Sequence, residues 1–250
     1  MKITGIIPAR YESSRIPGKP LADICGKPMI WWVYQEAMKV SGLDELVIAV
    51  DDDRVMNVCK SYNMNAVMTR NDHEKHINRL HEVSEKMPAD YYICICGDEP
   101  LVEATAVKQV FPKPEDDSKP HTVRSLMRDF DDPTEAVDTA SMKVAINHEG
   151  ECIFISRSII PFPYKTVEFP LRRLVGIECF SKSALDFFDA SPPGVLEKIE
   201  DITLLRFLEN HIPIQLVETH TKQIGVDTLK NLEVVRKIIS ERLHEKKEKQ

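Results

Sequence analysis

The sequence predicts an α/β protein in which helices cover both faces of a mostly parallel sheet. Three observations carry this prediction. The chain has 250 residues, 42% of them apolar, enough for one large domain with a sizeable core. Short apolar runs alternate with segments of helical period from residue 3 to residue 96. Runs such as ELVIAV and YYICIC are apolar throughout, which marks strands buried on both faces rather than half-exposed ones.

The elements follow in order. Ile3 to Pro8 is a buried strand, and Met29 to Val40 a helix. Glu45 to Asp51 is the second strand, followed by a helix over Asp53 to Tyr62. Ala66 to Thr69 is the third strand and Ile77 to Lys86 the helix after it. Tyr91 to Cys96 is the fourth strand, ending at Gly97-Asp98-Glu99-Pro100. The second half is less regular. His121 to Met127, Met142 to Ile146, Ile153 to Ser156 and Ile212 to Glu218 read as strands. Phe111 to Pro120 reads as a surface loop, and Ile159 to Pro170 is Pro-rich and irregular. Leu229 to Leu243 is an amphipathic helix with a charged tail behind it. The whole reads as one domain, 1–250, with an arm or subdomain around 152–195.

A net charge of −7 argues against a protein that coats nucleic acid, because phosphate binding needs an excess of Lys and Arg. Any phosphate site must therefore concentrate its positive charge locally. The apolar run at the N-terminus is too short for a signal segment or a membrane span, so a cytoplasmic protein without membrane partners is expected. Cys25, Cys59, Cys94, Cys96, Cys152 and Cys179 form no CxxC pair and no His/Cys cluster of zinc spacing. Most sit in apolar runs and are expected as buried free thiols.

Three motifs carry chemistry. The segment Pro8-Ala9-Arg10-Tyr11-Glu12-Ser13-Ser14-Arg15-Ile16-Pro17-Gly18-Lys19-Pro20 follows the first strand directly. It is neither GxGxxG nor a Walker loop. Yet it lies where phosphates bind in open α/β sheets and holds two arginines, two serines and a lysine. Asp98 ends the fourth strand, where a carboxylate either holds Mg²⁺ or caps the next helix. Asp227, in Gly225-Val226-Asp227-Thr228, is either the cap of the last helix or a second metal ligand. Spacing alone does not place it beside Asp98.

With these motifs assembled, IIPARYESSRIPGKPLADICGKPMI, TRNDH, GDEP, SRSIIP and GVDT, the chain resembles the CMP-Kdo synthetase family, the 3-deoxy-manno-octulosonate cytidylyltransferases, over roughly residues 3–240. The resemblance implies a Rossmann-like nucleotidyltransferase fold, a homodimer with the 152–195 stretch as dimerisation arm, CTP as donor and Mg²⁺ dependence. It implies that Arg10, Ser14, Arg15 and Lys19 hold the triphosphate and that Asp98 and Asp227 hold the metal. Ala9 and the stretch with Arg70, Asp72 and His73 would meet the nucleotide. Arg157 would face a small acidic acceptor, with Arg173 or Arg172 as the second choice, and Cys96 and Thr203 would also line the acceptor side.

Four departures stand out. Cys96 replaces the family's Gln before GDEP, and the DHQSGTER stretch reads DHEKHINR here. Leu174 stands for a His, and Thr203-Leu204 for a Glu-Gln pair that faces the sugar. Lost hydrogen-bonding groups reject a hydroxyl-bearing substrate strongly. The departures therefore predict an acceptor other than Kdo itself: an ulosonic acid with altered substituents, a phosphonate or another small acid. A nucleotidyltransferase using UTP or dTTP and a catalytically inactive nucleotide-binding protein are the other readings.

Overall fold

In chain order the strands are β1 (Ile3–Ala9), β2 (Asp23–Ile24), β3 (Lys27–Pro28), β4 (Glu45–Val50), β5 (Ala66–Met68), β6 (Tyr91–Ile95), β7 (Val123–Asp129), β8 (Lys143–Ile146), β9 (Cys152–Ser156), β10 (Arg172–Ser181) and β11 (Ile214–Glu218). The helices are α1 (Met29–Ala37), α2 (Asp53–Ser61), α3 (His76–Lys86), α4 (Ala104–Gln109), α5 (Lys182–Ala190), α6 (Val195–Glu200), α7 (Leu205–Glu209) and α8 (Leu229–Glu248). The computed structural model describes residues 1–13, 15–166, 168–221 and 224–248.

The central sheet has the order β11-β7-β10-β6-β1-β4-β5. β6, β1, β4 and β5 are parallel neighbours, as are β11 and β7. Only β10, antiparallel to both β6 and β7, runs against the other six. The sheet is thus mostly parallel, as the apolar runs require. β8 and β9 form an antiparallel extension reached through β10.

Side chains alternate along each strand, so one strand feeds two cores. Ile7, Ile48 and Ile93 pack under α1, α2 and α4 with Val33, Val55 and Val107. Ile6, Val47 and Tyr92 pack on the opposite face against α3, α5 and α7, with Leu80, Leu185 and Phe207. Full burial of each such side chain contributes roughly 1.5–3 kcal/mol. A third, smaller cluster ties α8 to the loop after β1 through Ile16, Met29, Val226 and Leu232. Local signals begin the helices where the sequence asks: the Asp52 carboxylate accepts from the Arg54 amide at 2.8 Å, capping α2.

Within the stretch 152–195, β10 crosses the central sheet and α5 packs on α3. The part lying between strands is the irregular segment after β9, where Phe162 and Tyr164 are exposed. Among the described residues no helix is long and apolar enough to cross a membrane.

Candidate active site

The parallel strands deliver their carboxyl ends to one edge of the sheet, and a cleft of about 440 Å³ opens there. The loop after β1 forms one wall, with Ala9, Arg10, Glu12, Ser13, Arg15 and Lys19. Tyr11 fastens this loop. Its amide donates to Asp51 Oδ1 at 2.9 Å, and its ring lies under the Arg54 guanidinium at 3.5 Å and against Gly18. Gly18 has φ +64°, a left-handed turn that admits glycine without strain and aims Lys19 inward.

Gly97 explains how β6 reaches the same place. A Cβ there would lie 2.5 Å from the Pro8 carbonyl oxygen, so only glycine lets the two strand ends approach this closely. Asp98 then faces Lys19, with Nζ to Oδ2 at 2.5 Å. The GVDT segment comes alongside because the Val226 amide donates to the Asp98 carbonyl at 2.8 Å. Lys19 Nζ also donates to the Val226 carbonyl at 2.8 Å and lies 3.6 Å from Asp227 Oδ1, while Arg15 pairs with Asp227 at 2.8 Å. Three distant chain segments thus meet on one ammonium group. Asp227 does not cap α8. Thr228 Oγ1 accepts from the Asn231 amide at the start of α8, so Thr228 takes the capping contact and Asp227 faces the cleft.

Glu99 completes this acidic corner, and sequence reasoning missed it. Burial first, then the Asp98 carboxylate, pushes its carboxyl up to about 8, and its Oε2 has no hydrogen-bond partner among the described residues. Asp98 and Asp227 are the two carboxylates that face Lys19. That pair, convergent on a cation, has the donor chemistry of a hard divalent ion.

The other wall comes from the stretch before α3 and from the segment after β9. His73 lines the cleft, its Nε2 2.5 Å from Glu82 Oε2. Glu74, Lys75 and His76 follow it, and Lys75 pairs with Asp201. Arg79, only 3% exposed, lines the cleft while bonding Thr69 and Asp51, the latter at 2.9 Å. Arg157 is on the wall as expected. Three of its N–H groups are committed to the carbonyls of Glu200, Thr139 and Asp201, at 2.6, 2.8 and 3.1 Å, leaving two of the five for a ligand. Cys96 and Thr203 also line the cleft.

Several expected residues lie elsewhere. Ser14 is outside the described residues. Arg70 and Asp72 are exposed, pair with each other at 3.4 Å and are not on the cleft wall. Arg172 pairs with Asp129, and Arg173 lies over the Phe130 ring. Both stand on β10, away from the cleft lining. Leu174 and Leu204, 6% and 1% exposed, belong to the core beneath α3 and α7. Their apolar character therefore answers to packing, which removes two of the departures read as acceptor contacts.

A family model described as cytidylyltransferase matches residues 4–224. The chain belongs to the cytidylyltransferase family. It is a CTP-dependent nucleotidyltransferase. The 3-deoxy-manno-octulosonate cytidylyltransferase of Escherichia coli is 37% identical over 240 residues, 96% of this chain and 97% of that protein. A solved structure of CMP:2-keto-3-deoxy-manno-octonic acid synthetase complexed with CTP matches with a TM-score of 0.90 at 36% identity, covering 97% of this chain and all of the other. The inositol-1-phosphate CTP transferase from T. maritima, 14% identical with a TM-score of 0.67, shares the fold. In this cytidylyltransferase the residues that sequence reasoning missed, Lys75, His76, Arg79 and Glu99, sit in stretches that depart from the family pattern or adjoin a better-known motif. The one available signal was the high charge of the run from 72 to 79.

Proposed function

We propose that this cytidylyltransferase transfers CMP from CTP to 3-deoxy-manno-octulosonate or a close 3-deoxy-ulosonic acid, releasing pyrophosphate. The observation that carries the reading is the convergence of Arg15, Lys19, Asp98 and Asp227 at the strand ends. The relatives' names and the near-complete overlap of the chains supply the acceptor class.

In this reading an acceptor oxygen attacks the α-phosphorus in line and pyrophosphate leaves. The reaction asks the protein mainly for positioning and charge neutralisation. Arg10, Arg15 and Lys19 bind the triphosphate and hold the leaving group. Asp98 and Asp227 would hold Mg²⁺, which supplies charge neutralisation at the phosphate oxygens when bound. Arg157 presents its two remaining N–H groups to the acceptor's carboxylate, with Thr203 and Cys96 beside it. The nucleoside meets Ala9 and the His73 stretch.

We infer a homodimer as well, supported by Phe162 and Tyr164, 76% and 92% exposed and two positions apart in the segment after β9. A cytoplasmic setting fits the six free thiols.

The test is pyrophosphate release with CTP, Mg²⁺ and a panel of acids: Kdo, an amino-substituted ulosonic acid and small phosphonates. Release with an ulosonic acid and CTP, but not with UTP or dTTP, is expected. Release with none of the acids while CTP binds would turn the reading toward a nucleotide-binding protein. A phosphonate as best acceptor would move it to the other acid class.

A further inference from the structure

The departures at 74–78 and at 96 meet in one place, and two residues of the sheet join them there. Cys94 on β6 and Glu178 on β10 are directly opposite partners in the antiparallel ladder, so their side chains leave the sheet on the same face. His76, the first residue of α3, leans over them, with Nε2 2.9 Å from Glu178 Oε2. One nitrogen, one sulfur and one carboxylate oxygen from the three residues all lie within 4.8 Å of one another.

We propose that His76, Cys94 and Glu178 bind one divalent ion of the zinc class in the cleft wall, separate from the Asp98–Asp227 pair. The donor set decides the metal. Imidazole nitrogen and thiolate sulfur suit zinc and its neighbours, whereas magnesium takes oxygen. One thiolate and one carboxylate neutralise a divalent charge. Burial gives the site a reason to be filled: Cys94 is 0% and Glu178 5% exposed, and His76 is the one hydrogen-bond partner of Glu178 among the described residues. A buried carboxylate with so little company is costly without a cation. Tetrahedral zinc sets its ligands about 3.3–3.8 Å apart, so the His76–Glu178 pair, now 2.9 Å apart, opens slightly while the Cys94 sulfur, within 4.8 Å, draws closer. The partly exposed His76 is the member with room to move.

Three protein ligands leave a fourth position. The cluster reaches solvent through His76 and the adjacent Cys96, both on the cleft wall. The fourth ligand therefore comes from the cleft, as water or an oxygen of the bound acceptor. No spacing in the sequence reveals the site, because its ligands come from a helix start and two strands 84 residues apart (178 − 94).

The experiment is a zinc titration of the chelator-treated full-length protein in excess Mg²⁺, followed by metal content and by the thiolate-to-cobalt absorption band after Co²⁺ loading. One zinc per chain is expected in the wild type. His76→Ala and Glu178→Gln should each lower zinc affinity tenfold or more, and Cys94→Ser should erase the cobalt band. Asp98→Asn and Asp227→Asn should leave zinc binding intact. Absence of stoichiometric zinc in the wild type overturns the site, as does wild-type affinity in His76→Ala. Loss of zinc in Asp227→Asn equal to that in His76→Ala would also overturn it. His76 is partly exposed, so its variant stays informative even if Cys94→Ser fails to fold.

Discussion

A single ammonium group, Lys19 Nζ, holds the loop after β1 to the ends of β6 and the GVDT segment. With Lys19→Ala the protein loses charge-assisted bonds to Asp98 and to the Val226 carbonyl, and on the proposed reading one to the phosphates. Such bonds are worth about 1.5–3 kcal/mol each, so turnover measured as pyrophosphate release should fall at least tenfold with the circular dichroism spectrum unchanged. Asp227 gives a cleaner comparison. Because Thr228 makes the capping contact, Asp227→Asn should leave the melting temperature nearly unchanged while turnover collapses as it does in Asp98→Asn. An Asp227→Asn enzyme of wild-type turnover would take that residue out of the site. At this scale the sequence was legible where chemistry and loop position coincide, as for Arg10, Arg15, Lys19 and Asp98. It was illegible at Leu174 and Leu204, where a polar residue exchanged for leucine has become core packing. It was illegible too at Glu99, whose role depends on burial beside a second carboxylate.

At the scale of elements, the Glu82 carboxylate of α3 anchors the stretch that forms the second wall of the cleft. Burial raises the pKa of Glu82, but hydrogen bonds from Lys86, the Arg70 amide and His73 outweigh it and bring the group from 4.5 to about 2. The folded pKa is therefore depressed. The stabilisation is present above 4.5 and is lost as pH falls toward 2. Melting temperatures recorded from pH 5 down to pH 3 should fall more steeply for the wild type than for Glu82→Gln, and the variant should be the less stable of the two at pH 6. Equal slopes would show that Glu82 does not anchor the stretch 70–75. Most elements of the first half were legible because apolar runs and helical period agree there: β4, β5 and β6 lie within one residue of their expected bounds. β10 was not. Its sequence, RRLVGIECFS, carries two arginines, a glycine and a buried glutamate, which conceal a central strand. α6 and α7 have six and five residues, too few to show a helical period.

For the whole molecule, the exposed pair Phe162 and Tyr164 decides the assembly test. Light scattering should give the wild type the mass of a dimer, and Phe162→Glu with Tyr164→Glu should shift it toward a monomer. A monomeric wild type would overturn the inferred homodimer. The topology has another consequence, for the order in which the chain is made. Among the seven strands of the central path β10 alone runs against the others, and it sits between β6 and β7, which precede it by many residues. Synthesis therefore completes β1, β4, β5 and β6 well before the partner of β6 on its other side exists. Throughout that interval YYICI, uncharged and rich in strand-forming residues, presents a bare row of amides and carbonyls to its surroundings. A ribosome stalled before residue 172 would release a chain with an adhesive edge. Timely arrival of ten residues late in translation thus separates a soluble product from an aggregate.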